Sequence, residues 1–268
     1  MNDVPIIFYG KLEDQFGNPV VGAEITGSTI VYNGTAAGGQ RVVATSDAKG
    51  FFQMNGGNGE SLGMMPRKEG YVLAATNTEY KYSGFYPDSR HVPEPDNPVV
   101  IKMWKLQGAE PLTGINQRYK LRPTDAPVNF DLLAGKIVPS GGDIKITVSR
   151  PPGVVSQSNP QDWSVKVEAV DGGLIETSMT DARVTYAAPD NGYQPSDALI
   201  MSTTNHWSDL VQQMYFVTSR NGQVFSKVFL SMDVNANPDD PMSVTFRGTA
   251  NASGSRNWEA DADAMKPR

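Results

Sequence analysis

The chain has 268 residues, 39% of them hydrophobic and 19% charged, with 26 Gly, 19 Pro and no Cys. That is enough apolar material for packed cores, so the chain is globular and not disordered. The missing cysteines exclude disulfides, thiolate catalysis and zinc–thiolate sites. The net charge is −6: nine basic against eleven acidic residues before Gly108, and 14 against 18 from there on. Nothing in this mild, even acidity offers a footprint for nucleic acid or for an anionic membrane surface.

Residues 4–12, VPIIFYGKL, are β-branched, apolar and aromatic and predict a strand. No run of about 18 apolar residues exists, so no helical membrane span is predicted. The start has no basic region followed by an apolar one, and so does not read as a signal peptide. Asp14, Gly17, Asn18 and Pro19 then make a turn. The alternating stretch after it predicts a second strand with Val21, Ala23 and Ile25 on one face. RVVATSDAKGFFQM gives a third and a fourth strand joined at Asp47–Gly50, and GYVLAATN and NPVVIKMWKL two more. Two Gly-rich stretches, 32–41 and 55–63, read as flexible loops.

The phrases GKLEDQFGNPVVGAEI, TSDAKGFF and Gly70–Tyr71 carry a family pattern. Its matching positions are Gly10, Asp14, Gly17, Pro19, Val20, Gly22, Ala23 and Ile25, then Thr45, Asp47, Gly50 and Phe52. Residues 4–106 thereby resemble the carboxypeptidase regulatory-like domains, transthyretin-like (prealbumin-like) β-sandwiches of about seven strands. The resemblance implies a mostly non-catalytic, extracytoplasmic module. It makes the chain secreted, periplasmic or part of the cell envelope, with its export signal outside this sequence; a cytoplasmic protein is the alternative. Collagen-adhesin B-type repeats of the same superfamily cross-link a Lys of the first strand to an Asn of the last. Lys11 lies near such a place, but the strand VVIKMWKL contains no Asn.

Residues 107–127 alternate poorly and hold three prolines, which reads as a connection between domains. The expected plan is thus a first sandwich over 1–107, a connecting segment over 108–127 and a second sandwich over 128–268, of jelly-roll type. In the second half DIKITVSR alternates strictly. WSVKVEAVDGGLIET places Trp163, Val165, Val167 and Ala169 on one face before a turn at Asp171–Gly173. Asn221–Gly222 is a strong hairpin signal inside MYFVTSRNGQVFSKVFLSMDV. MSVTFRGTA predicts the last strand. Trp207, Leu210, Val211 and Met214 stand at i, i+3, i+4 and i+7 behind a capping Asn205, which predicts a short helix. The tail EADADAMKPR reads as frayed.

Catalytic side chains are scarce. The two histidines, His91 and His206, come without a G-x-S-x-G elbow or an H-E-x-x-H motif. The acids lie mostly in turns, the place of solvated loop residues. The chain therefore reads as a non-enzyme without cofactor, an accessory protein whose partner is a polysaccharide or an envelope protein. A hydrolase sited in the second domain is kept as an alternative.

Carbohydrate binding is the other alternative. Tyr80, Tyr82, Phe85 and Tyr86 crowd one segment with Asp88 and Arg90, and Trp207 could join them; aromatic faces stack on sugar rings and charged groups bond hydroxyls. Against this stands a structural reading, in which two of the four rings plug the end of the sandwich or the domain interface. Asp233, Asn235, Asn237 and Asp239 carry oxygen ligands at every second residue, as a calcium loop does. Pro238 replaces the glycine such a loop wants, and Val244 stands where a bidentate Glu would be needed. A plain polar turn is the competing reading.

Overall fold

A computed structural model describes residues 4–32, 37–83, 89–122, 126–151, 155–234 and 241–260. Within them the fold is all-β, four sheets and one short helix, in two compact units that divide at Gln107/Gly108. Among the described residues no helix is long and apolar enough to cross a membrane.

The first unit holds β1 (Val4–Glu13), β2 (Glu24–Tyr32), β3 (Ala37–Thr45), β4 (Phe51–Gly59), β5 (Ser61–Arg67), β6 (Tyr71–Leu73), β7 (Glu79–Lys81) and β8 (Val99–Lys105). They form two four-stranded sheets, ordered β4-β1-β8-β6 and β3-β2-β5-β7. The β1/β8 pair is parallel, with Gly10 opposite Val99, and the other pairs are antiparallel. Strand alternation puts Ile6, Phe8 and Leu12 inward, against Ile25, Met54, Leu62, Ile101 and Met103 from both sheets.

Two aspartate turns move the chain from one sheet to the other. Asp14 Oδ1 accepts the N–H groups of Phe16 (2.9 Å) and Asn18 (2.8 Å). Asp47 Oδ1 does the same for Lys49 (2.8 Å) and Phe51 (2.9 Å). Gly50 has φ of 79°, and a Cβ there would come within 2.5 Å of the Leu12 carbonyl oxygen, so only glycine fits this crossing.

Three expectations change in this unit. Val21 does not share the inward face of Ala23 and Ile25; it is 47% exposed in the turn, because β2 begins only at Glu24. The stretch 55–63, read as a loop, is strand on both sides of Glu60, and Ala37–Arg41, also read as loop, begins β3. Gly56 and Gly59 serve close packing: a Cβ on Gly56 would lie 2.4 Å from Thr29 Cγ2, and one on Gly59 2.8 Å from the Ile30 carbonyl oxygen.

The second unit holds β9 (Thr113–Leu121), β10 (Val128–Asp131), β11 (Lys136–Val138), β12 (Ile144–Ser149), β13 (Trp163–Ala169), β14 (Gly173–Thr177), α1 (Met179–Val184), β15 (Ser196–Met201), β16 (Leu210–Ser219), β17 (Val224–Asp233) and β18 (Met242–Asn251). The sheets run β11-β10-β12-β13-β15 and β14-β16-β17-β18-β9. Their inner faces share a core that includes Phe130, Ile146, Val165, Val167, Tyr215, Val228, Leu230, Val244 and Phe246. Ten strands, with β16 to β18 in a meander, depart from the eight-stranded double Greek key of a jelly roll.

The segment expected to connect the domains is largely strand. Thr113–Leu121 pairs along its length with β18, Thr113 opposite Ala250 and Leu121 opposite Met242. Its inward residues Ile115 and Leu121 are buried, but Asn116, Arg118 and Lys120 face outward and mask the alternation. The helix expected over 205–214 is absent: Leu210–Ser219 is β16, with Val211, Tyr215 and Val217 in the core. Its first residues fit a helical period by coincidence, and ten residues of pairing with β17 decide the matter. The Asn221–Gly222 hairpin is present, with Arg220 and Asn221 at φ of 52° and 56°. The start of the tail is fastened, since Glu259 is buried and its Oε2 accepts the Gly108 N–H at 2.8 Å. Residues 261–268 lie outside the described residues.

Candidate functional site

The aromatic residues of the segment 79–91 are the first candidates. Tyr80 stands in β7 and Tyr82 one residue past it. Tyr82 is 6% exposed and donates its hydroxyl hydrogen bond to the Ile7 carbonyl at 2.7 Å. The Tyr80 ring packs 4.6 Å from the Phe8 ring, and His91 sits 5.0–5.3 Å from Phe8, Tyr80 and Tyr82. These rings form an aromatic plug around the buried Phe8. Tyr82, itself buried, offers no face to a sugar. Burial pushes both tyrosine hydroxyls upward in pKa and pushes the His91 imidazole down, with Glu94 opposing the latter. Arg90 is exposed next to this plug. Phe85, Tyr86 and Asp88 lie outside the described residues.

Trp207 does not join this group. It packs against the core of the second unit and donates its indole N–H to the Gln161 carbonyl at 2.8 Å. His206 is exposed in the turn beside it. The histidines thus stand in different units, one in an aromatic plug and one in a surface turn. Of the calcium residues only Asp233 is described, at the exposed end of β17; Asn235, Asn237 and Asp239 lie outside the described residues. Among the described residues no three His, Asp or Glu side chains gather for a metal ion. Lys11 points away from the core, pairs with Glu13 at 2.8 Å and lies 5.4 Å from the Phe51 ring centre. Glu13 also pairs with Lys102 at 2.8 Å, and Lys102 and then Lys11 hold its carboxyl below the usual range.

The densest polar constellation is one the sequence did not single out. Asp143 is fully buried where the chain enters β12. Its Oδ1 accepts from Ser219 Oγ (2.7 Å) and Arg220 Nε (2.9 Å), and its Oδ2 from the Leu132 N–H (2.8 Å) and Arg220 Nη2 (3.0 Å). Arg220 Nη2 reaches Asp131 Oδ1 at 2.8 Å as well. Both carboxylate oxygens of Asp143 are thus doubly satisfied, in a bidentate arginine pair that joins one sheet to the hairpin of the other. The Asp143 bonds, opposed by burial, raise the Arg220 pKa further.

Two further buried polar groups belong to the same unit. Tyr215 Oη donates to Asp197 Oδ2 at 2.6 Å, and burial, then that bond, drives its pKa up. On the outer face of β14-β16-β17, Lys227 Nζ donates to the carbonyls of Thr185 (2.8 Å) and Ala182 (3.3 Å) at the end of α1. The Trp258 ring lies 5.0 Å from the ammonium, and burial lowers the lysine pKa to about 8. An Asp–Arg–Ser set or a lowered lysine can mark catalysis. Here each donor and acceptor named meets main chain or an opposed strand, which leaves none pointed at an open cleft.

No protein-family model and no curated protein matches the chain. Among solved structures it is similar to the shaft pilin spaA from Lactobacillus rhamnosus GG, in its D295N mutant form. The identity is 11% and the TM-score 0.27, over 94% of this chain and 95% of the pilin. A likeness at that level carries no argument about fold or function.

Proposed function

We propose that the chain is a non-catalytic binding or structural module that works outside the cytoplasm. One observation carries this reading: the buried Asp143 carboxylate and the partly exposed Arg220 and Lys227 side chains all bond to the fold itself. Asp143 and Arg220 join two sheets, and Lys227 holds α1 and the Trp258 segment on the outer face. In the first unit the aromatic cluster packs around the buried Phe8. The extracytoplasmic placement rests on the resemblance of residues 4–106 to the carboxypeptidase regulatory-like domains. Support for that resemblance comes from the two aspartate turns, which use the Asp14, Gly17, Asp47 and Gly50 of the pattern as sheet-to-sheet crossings.

The test is turnover. The purified chain, set against panels of chromogenic esters, glycosides and peptides, should give no more product than a His91→Ala, His206→Ala, Asp143→Asn triple variant. Turnover by the native chain that disappears in the triple variant would replace the module reading with the hydrolase one.

A further inference from the structure

The second unit has a notch in one sheet edge. β14 ends at Thr177, opposite Met214, while β16 continues back to Leu210. Over residues 210–213 β16 pairs with β17, Leu210 opposite Asp233 and Gln213 opposite Leu230. On its other side no described strand faces it. The bond from the Val234 N–H to the Asp209 carbonyl (2.9 Å) fixes which peptide groups face which way. Alternation then turns the N–H and C=O of Leu210 and Gln212 toward the vacant side.

Leu210 is capped there. Ser208 Oγ accepts its N–H at 3.0 Å and donates to its carbonyl at 2.8 Å. Among the described residues none caps Gln212 in this way. A groove of about 610 Å³ opens beside it, with Glu176, Met179, Gln212, Met214 and Phe229 in its wall. Met179 is 62% exposed. Among the described residues Glu176 is the one charged residue of the wall and no Lys or Arg lines the groove; Asp181, which accepts from the wall's Ser178 Oγ at 2.8 Å, adds negative charge next to it.

An uncovered strand edge is a template for another strand, since only an extended backbone presents donor and acceptor at the matching spacing. We propose that this notch binds an extended, basic peptide segment of a partner protein by strand addition at Gln212. The Gln212 N–H and C=O pair with its backbone. Met179, Met214 and Phe229 take an apolar side chain, and Glu176 takes a Lys or Arg on the alternate position. The proposal deepens the binding-module reading and rests on it.

The test titrates the full ¹⁵N-labelled chain with the hexapeptide Lys-Val-Lys-Val-Lys-Val and with its Glu-Val counterpart. The expected result is a shift of the Gln212 and Thr177–Met179 amides by the basic peptide, with slower solvent exchange at the Gln212 N–H. Gln212→Pro removes the donor at an edge position that tolerates proline, and should weaken binding at least about tenfold. Glu176→Lys should transfer the preference to the acidic peptide, and it decides the matter should the proline variant not fold. Shifts scattered over the acidic surface, no shift at Gln212, or no change of preference in Glu176→Lys would overturn the proposal. The module reading would survive such a failure, because only turnover removes it.

Discussion

The two units are both β-sandwiches, yet they secure their sheets by opposite means. The first uses aspartate turns and packed rings: Asp14 and Asp47 shape the crossings, and Phe8, Tyr80, Tyr82 and His91 pack together. Its ion pairs, Lys11 and Lys102 with Glu13, lie on the outer face. The second unit pairs a buried carboxylate with a partly exposed guanidinium and holds a half-buried lysine under its outer cover. The contrast follows from chemistry. Ring packing needs only shape, whereas a buried charge needs every lone pair met, and so fixes the hairpin, the β10–β12 corner and Ser219 together. It also teaches that ionised groups inside a protein need not mark an active site.

The largest expected effect breaks the charged seam. Asp143→Ala leaves Ser219 and the Leu132 N–H without their acceptor and Arg220 with Asp131 alone, and should cost about 3 kcal/mol or more. Hydrogen-exchange mass spectrometry should show faster exchange in the second unit, centred on 128–148 and 214–228. The matching change in the first unit is Tyr82→Phe, which removes the bond to the Ile7 carbonyl and should cost about 1 kcal/mol. Chemical denaturation of the variant measures it, and a neutral result would mean that the plug does not need its polar tip.

Acid sharpens the comparison next. His91 is held below its ordinary pKa of 6.5 by burial, so the unfolded chain binds its proton more readily. Stability of the first unit is therefore complete above pH 6.5 and falls as pH drops through the lowered folded value. His91→Phe should flatten this slope, read by exchange in residues 79–83. A second titration is alkaline. Lys227 titrates near 8 in the fold against 10.5 when free, so the unfolded chain holds the extra proton between those values. Stability of the second unit should rise from pH 8 to 10, a rise absent in Lys227→Met.

Much of the fold was legible. β1, β12, β13 and the Asn221–Gly222 hairpin stand where alternation and turn chemistry predict them, because each is a local signal. The misreadings share a cause in non-local packing. Gly56 and Gly59 belong to strands that need the absence of a Cβ to approach Thr29 and Ile30, distant contacts that no window of sequence displays. Trp207 and Leu210 matched a helical period, but pairing with β17 overrode it. The seam was invisible for the same reason: Asp143 and Arg220 are 77 residues apart, and nothing beside either announces the other. Tyr82 stands out by composition, but its role stays open in the sequence, since an aromatic body with a polar tip suits a plug as well as a binding face.

The most direct test of the claim that the buried charges serve the fold is a double-mutant cycle on Asp143 and Arg220. Asp143→Ala, Arg220→Met and the double variant would be compared by equilibrium denaturation. The account predicts that each single variant is destabilised and that the double variant is destabilised less than their sum, by about 1 kcal/mol or more of coupling. Single variants as stable as the native chain, with additive effects, would contradict it and point Asp143 and Arg220 toward a chemical role instead.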